Sequence, residues 1–302
     1  MSLLIIGTVA FDAIETPFGK TDKIVGGSAT YVGYSAAKLG VNPKLVAVVG
    51  DDFPTETIND LKNAGFDLEG LQVKKEEKTF FWSGKYHNDM NSRDTLITEL
   101  NVLESFNPVI PDSYQDCTYL MLGNLAPALQ TQVINSLKNR PKLIAMDTMD
   151  FWMDIAMDDL KEAISKVDVL TINDEEARQL SGEYSLLTAA EKLQSMGPRF
   201  LIIKKGEHGA LLFHGKEMFY APALPLAFVK DPTGAGDTFA GGFMGYLAST
   251  DDVSFENMKR AVVYGSALAS FTVEEFGTDN IKAVTQKDLE ARMDAFKALM
   301  SF

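Results

Sequence analysis

The chain of 302 residues has a single cysteine, Cys117. One thiol excludes an internal disulfide and any cysteine-based zinc centre, and a lone Cys is expected to be a small buried apolar residue. Histidine is scarce as well. His87, His208 and His214 lack the close pairing of a metal site, which leaves them as loop or strand residues. Basic residues are outnumbered, with 28 Lys and Arg against 42 Asp and Glu and a formal net charge of −14. Such a surface repels phosphate backbones and anionic lipid, so neither a nucleic-acid nor a membrane partner is expected. An anionic substrate would need a local amide-lined or cationic pocket. Long hydrophobic runs are missing: the longest weakly polar stretch, Ala261 to Val273, has 13 residues, against roughly 20 for a spanning helix. Met1 to Gly7 has neither the basic segment nor the apolar length of a secretory signal, so a cytoplasmic location is expected.

What is present is a regular alternation. Leu3 to Ile6, Lys44 to Val49, Thr118 to Leu122, Leu143 to Met146, Val167 to Ile172 and Phe200 to Ile203 are short apolar runs separated by helical patterns. That is the pattern of an α/β protein with a mostly parallel sheet buried on both faces. The runs end at Gly7, Gly50, Gly123, Asp147, Asn173 and Lys204, and ligands of open α/β sheets sit outside such carboxyl ends. Two segments break the alternation, about 8–25 and 72–105, where Lys78 to Tyr86 and Thr95 to Leu100 look like strands with no helix between them. With no linker, repeat or low-complexity segment, the chain is expected to be one domain, 1–302, carrying a small β-rich lid. Phe80, Trp82 and Tyr86 alternate with Phe81 and Gly84-Lys85, leaving aromatic surface on both faces of that lid, so a homodimer through the lid is expected. Gln286 to Phe302 forms an amphipathic helix with Leu289, Met293, Phe296 and Leu299 as its packing stripe. Asp51-Asp52 and Asp158-Asp159 look like solvated helix starts.

The most informative string is Lys230-Asp231-Pro232-Thr233-Gly234-Ala235-Gly236-Asp237-Thr238-Phe239-Ala240-Gly241-Gly242-Phe243. A Gly-rich turn that opens a helix aims unpaired amides and the positive end of the dipole at one point, which makes an anion hole. Asp237 sits at that point, where a carboxylate could take a proton from a hydroxyl while the amides of Gly234, Ala235 and Gly236 stabilise a transferring phosphoryl group. A plain helix cap uses the same residue types.

Asp-Pro-Thr-Gly-Ala-Gly-Asp-Thr-Phe, from Asp231 to Phe239, resembles the C-terminal signature of the ribokinase-like carbohydrate kinases, the phosphofructokinase B family. Gly26-Gly27, followed by a helical segment ending Ala36-Ala37-Lys38-Leu39-Gly40, is similar to that family's N-terminal Gly-Gly signature. Gly7 with Asp12 resembles its first strand and substrate carboxylate, and Asn173-Asp174-Glu175-Glu176 its Asn-x-x-Glu motif. Lys204-Lys205-Gly206-Glu207-His208-Gly209 resembles the strand and turn that pass along ATP. These matches run in order from about residue 7 to residue 277.

The resemblance implies a three-layer α/β/α ribokinase-like fold and an ATP-dependent kinase acting on a hydroxyl of a small sugar or related polyol. It implies Asp237 as base and Gly234, Ala235 and Gly236 as anion hole. Asp12, Gly26, Gly27, Tyr31 and Asn124 would bind the acceptor. Asn173, Lys204, Gly206, Glu207, Gly209 and Tyr264 would bind the nucleotide, with Glu176 near Mg2+ and Asp231 and Thr233 beside a monovalent cation such as K+. Two positions depart from the family pattern. Tyr31 stands where an Asn usually touches sugar hydroxyls, which leaves room for an inositol or a nucleoside whose base could stack on a ring. Pro232 stands where Thr is more usual, and its fixed φ suits a turn. A dehydrogenase is excluded because Gly7-Thr8-Val9-Ala10-Phe11-Asp12 lacks the further glycines of a dinucleotide fingerprint, and no P-loop string occurs. A non-catalytic sugar or nucleotide regulator would have no need of the intact Gly234, Gly236 and Asp237.

Overall fold

The computed structural model describes residues 1–301. Each of the six apolar runs forms a strand, and their aliphatic side chains alternate between the two faces of one nine-stranded sheet. In spatial order these strands are β14 (Glu217–Ala221), β13 (Ala210–His214), β12 (Phe200–Lys204), β11 (Val169–Asn173), β10 (Leu143–Asp147), β9 (Tyr119–Leu122), β1 (Leu3–Ile6), β5 (Pro43–Gly50) and β6 (Asp67–Lys74). From β6 to β12 the pairing is parallel, while β13 and β14 add an antiparallel hairpin at one edge. Leu3 and Ile5 enter a core shared with helices α1 (Ser28–Ala37), α2 (Thr55–Asn63), α8 (Ala235–Thr250), α9 (Phe255–Thr272), α10 (Asp279–Ala283) and α11 (Gln286–Met300). Leu4 and Ile6 enter a second core, on the opposite face, with α3 (Pro127–Ser136), α4 (Asp150–Ile155), α5 (Met157–Ser165), α6 (Asp174–Ser181) and α7 (Leu186–Gln194). The result is a three-layer α/β/α domain. Cys117 is buried in the second core, and burial pushes its thiol up to about 11.

The chain leaves β1 toward β5 on one side and later returns to β9 on the other, so the sheet's switch point lies beside β1. Crevices at carboxyl ends open at such points. The first-turn side chain of α1 plugs the base of this one. Ser28 Oγ accepts the Thr8 amide at 3.1 Å, and Thr8 Oγ1 accepts the Ser28 amide at 2.9 Å. A Cβ on Gly7 or Gly123 would sit 2.7 or 2.8 Å from that same Oγ, so both strand ends must be bare.

The second sheet is the lid, with order β3 (Gly19–Lys20), β2 (Ala10–Thr16), β7 (Phe81–Tyr86), β8 (Arg93–Glu99), and with β4 (Ile24–Gly26) paired to β2. Its second segment is shorter than the expected 72–105, because Gln72 to Lys74 continue β6 along β5 in the main sheet. Asp52 is exposed, as expected, but it lies in the turn before α2 and is engaged. Its carboxylate accepts the Thr79 amide at 2.8 Å and the Thr79 hydroxyl at 2.6 Å, and Lys23 approaches at 3.4 Å. Burial opposes its ionisation, yet those hydrogen bonds win and hold it below the usual carboxylate range. Asp52 therefore ties the lid's two entry points to the end of β5.

Hydrogen bonds to a charged partner contribute about 1.5–3 kcal/mol each, so Asp52→Ala should speed amide exchange in residues 81–99 by roughly tenfold or more. Exchange in β1 and β9 to β12 should be unchanged. Uniform loss of protection across both sheets would show that Asp52 stabilises the whole domain and not the lid.

Candidate active site

Helix α8 starts at a turn with no side-chain cap. Gly234 occupies the N-cap in the left-handed region at φ 74°, and Asp237 lies in the first turn. The first amides of a helix have no intrahelical partner, so they and the positive dipole end face the cleft beyond β1 and β10. The turn is fixed from below. Asp231, fully buried, accepts the Thr233 amide at 2.9 Å through Oδ1, while its Oδ2 is buried with no partner. Tyr31 lies with its ring against Gly234, where any Cβ would intrude. Lys204 Nζ would be 3.1 Å from a Cβ on Gly236.

Two acids, Asp147 and Glu176, flank that turn on the side of β10 to β12. Asp147 Oδ2 pairs with Lys204 Nζ at 2.6 Å, across the intervening end of β11. Asn173 and Glu176 form a capping box at the start of α6: Asn173 accepts the Glu176 amide and Glu176 Oε2 accepts the Asn173 amide, both at 2.8 Å. Burial, opposed by Lys204, pushes the Glu176 carboxyl up to about 7. Asp237 is also raised to about 7, by burial and by the charge of Asp147, against the pull of Lys204 and Arg93. Lys204 itself is pulled down by burial, but Asp147 and Glu176 outweigh this and keep it firmly charged.

The lid supplies the other wall. Asp12 on β2 is buried, and burial together with the charges of Asp231 and Asp237 pushes its carboxyl up to about 7. Its Oδ2 fills the space a Cβ on Gly26 would need, and Gly27, at φ 92°, opens α1. Asp12 pairs with Trp82 across β2 and β7, and Tyr86 with Arg93 across β7 and β8. Partners in register point to one face. That face is the cleft, because Thr233 Oγ1 donates to the Tyr86 hydroxyl at 3.2 Å. At the hairpin tip, Asn91 fills the space beside Gly206 in the loop after β12.

Asp12, Gly26, Gly27, Asn173, Glu176, Lys204, Asp231, Thr233, Gly234, Ala235, Gly236 and Asp237 thus converge at one crevice, with Tyr31 packed behind Gly234. Gly206, Glu207 and Gly209 lie next to it, in the loop between β12 and β13. Asn124 is adjacent but engaged, accepting from Trp152 Nε1 at 2.8 Å and donating to Met149 Sδ at 2.9 Å. Tyr264 stacks on Tyr246 at 4.3 Å, and Tyr246 is nine residues along α8 from Asp237 and so about 14 Å down the helix at 1.5 Å per residue. Tyr31 offers no ring face to the cleft, with 1% exposure. The residue-type signals missed Arg93, which only its register opposite the lid aromatic Tyr86 brings inward, and Asp147, marked in the sequence only as a strand end.

Residues 2–285 match the profile of the pfkB family carbohydrate kinases. A cytidine kinase from Thermococcus kodakarensis is 32% identical over 250 residues, covering 81% of this chain and 87% of the relative. A nucleoside kinase from Methanothermobacter thermautotrophicus is 27% identical over 292 residues, covering 91% and 90%. Among solved structures, the Burkholderia thailandensis nucleoside kinase in complex with inosine superimposes with a TM-score of 0.81 at 20% identity, over 100% of this chain and 99% of the other. The Thermotoga maritima ribokinase gives 0.78 at 21% identity, over 97% and 99%.

Because the Asp12 carboxyl rises from 3.8 to about 7 on folding, the folded chain binds the proton more tightly between those values and loses stability as pH rises through them. Asp12→Asn should remove that loss. The variant should match the parent near pH 4 and exceed it above pH 7 by on the order of 2–4 kcal/mol, at about 1.4 kcal/mol per pKa unit. Denaturant melts at both pH values measure this, and a pH-independent difference would contradict it.

Proposed function

The chain belongs to the pfkB family of carbohydrate kinases, phosphotransferases with a hydroxyl acceptor, and on that premise we propose that it phosphorylates a sugar hydroxyl from ATP with Asp237 as base. The observation that carries this reading is Asp237 in the first turn of α8, between the amides of that turn, of which Ala235's is shared with the Pro232 carbonyl, and the lid carboxylate Asp12. A carboxyl raised to about 7 exchanges its proton at neutral pH. Asp237 accepts the proton of the attacking hydroxyl, Asp12 accepts from a neighbouring hydroxyl and orients the acceptor, and the amides of the Gly234 to Gly236 turn face the charge that develops on the phosphoryl group.

The nucleotide lies along Lys204, Gly206, Glu207 and Gly209. Among the described residues no three His, Cys, Asp or Glu side chains form a metal cradle, which suits Mg2+ held chiefly by phosphate oxygens and water. Asn173 and Glu176 would face that ion, whose chemistry is to neutralise phosphate charge. Asp231 Oδ2, buried without a partner, fits a monovalent cation beside Thr233. Trp82 favours a nucleoside as the molecule carrying the sugar, because its ring lies on the same lid face as Asp12 and one strand away, a spacing of about 4.8 Å that lets a base stack while the sugar is held. The lid leaves Leu96, Ile97 and Leu100 exposed on its edge strand and the turn after it, apolar surface that a second lid would cover.

A screen of ADP release over pentoses, hexoses, inositols and nucleosides should find turnover, and silence across all of them would defeat the reading. Asp237→Asn should lower kcat by about 10²-fold or more, within the usual worth of a general base, without loss of ATP binding. Arg93→Gln removes a cation that lowers the Asp237 carboxyl, so the acid limb of the kcat/KM profile should move to higher pH. Light scattering at micromolar concentration should report a dimer that Ile97→Lys dissociates; a monomeric parent would remove the lid pairing alone.

A further inference from the structure

Tyr31 lies on α1, four residues from its start, and its hydroxyl is as buried as its ring. No side chain or backbone group bonds that hydroxyl, and its titratable neighbours are Asp12, Asp231, Asp237 and Tyr86. An oxygen closed off from the cleft is no contact for an acceptor. The ring, in contrast, has a definite neighbour. Its Cε2 and Cδ2 atoms would stand only 2.5 and 2.6 Å from a Cβ on Gly234, so the ring edge lies directly beneath the backbone of the turn.

The turn has few other constraints on that side. Gly234 has no side-chain cap, and the turn is held by the Asp231–Thr233 bond, by an Ala235 amide donating to the Pro232 carbonyl at 3.1 Å and, from the lid side, by the Thr233 hydroxyl donating to Tyr86 at 3.2 Å. The ring's own position is set rigidly. One turn further along α1, Ser35 Oγ donates to the Thr238 carbonyl at 2.6 Å, buried and adjacent in sequence to Asp237. A rigid planar group on a locked helix, pressed against an uncapped glycine, fixes where the turn's amides point.

We propose that Tyr31 is a positioning residue for the phosphate-binding turn, acting through the volume and rigidity of its ring and not through contact with either substrate. This rests on the kinase reading above. A group that aligns amides for the transition state affects kcat and leaves ground-state binding alone.

The test uses the full chain with Tyr31→Phe, which keeps the ring, and Tyr31→Met, which fills the same space with a flexible chain. Tyr31→Phe should keep kcat and both KM values within about twofold and melt no lower than the parent, since it deletes only an unpaired buried hydroxyl. Tyr31→Met should fold, as shown by its circular dichroism and melting, yet lose roughly 10- to 100-fold in kcat with both KM values little changed. Binding of ADP with aluminium fluoride and acceptor should weaken by a similar factor in Tyr31→Met, while binding of ADP alone should not. A raised acceptor KM in Tyr31→Phe would instead make the hydroxyl a substrate contact and overturn the proposal. Full kcat in Tyr31→Met would overturn it too. Should the parent itself turn over no acceptor, the kinase reading fails first, and the two failures are told apart.

Discussion

The molecule depends on two helices approaching backbone to backbone. A Cβ on Gly241 of α8 would reach the Val32 backbone of α1, and one on Gly245 would stand 2.8 Å from Ala36 Cα. Spaced four apart, these glycines form one bare stripe along α8. Because α1 begins at Gly27 beside the lid and α8 begins at Gly234, that stripe sets the distance between the lid side and the α8 side of the cleft. A methyl group on either glycine would push those two walls apart.

Electrostatics is the second constraint, and it works against the folded state. Asp12, Asp147, Glu176, Asp231 and Asp237 crowd one crevice of a protein whose net charge is −14, with Lys204 the one ammonium among them and Arg93 overhanging from the lid. Three of those carboxyls rise to about 7. The fold tolerates this repulsion because the surrounding three layers hold the strand ends rigidly, and a site rich in acids is one in which cations and proton-donating hydroxyls are stabilised on arrival.

Much of this was legible in the sequence. The six buried strands follow from aliphatic runs bounded by Gly, Asp and Asn, and the start of α8 follows from Gly234 and Gly236. What was not legible has common physical causes. Residue type cannot tell which face of a lid strand looks inward, so Arg93 was hidden until register paired it with the lid aromatic Tyr86. An aromatic at a helix start reads equally well as pocket wall or as packing, and Tyr31 proves to be buried. Asn124 sits at a strand end like the others, yet Trp152 and Met149, distant in sequence, take its amide. Tyr264 falls near the motifs in order, and the fold sets it on an antiparallel helix against Tyr246, away from the start of α8. Asp52 is exposed, and its hold on the lid was hidden because the threonine it bonds, Thr79, lies 27 positions away.

The contact of Asn91 with the loop at Gly206 bears on the timing of turnover. A lid whose base carries Asp12 and whose tip rests on the far loop spans the crevice from one end to the other. One movement of the hairpin would then uncover both ends of the crevice together, and its residence time on that loop and the viscosity of the medium would govern exchange at both.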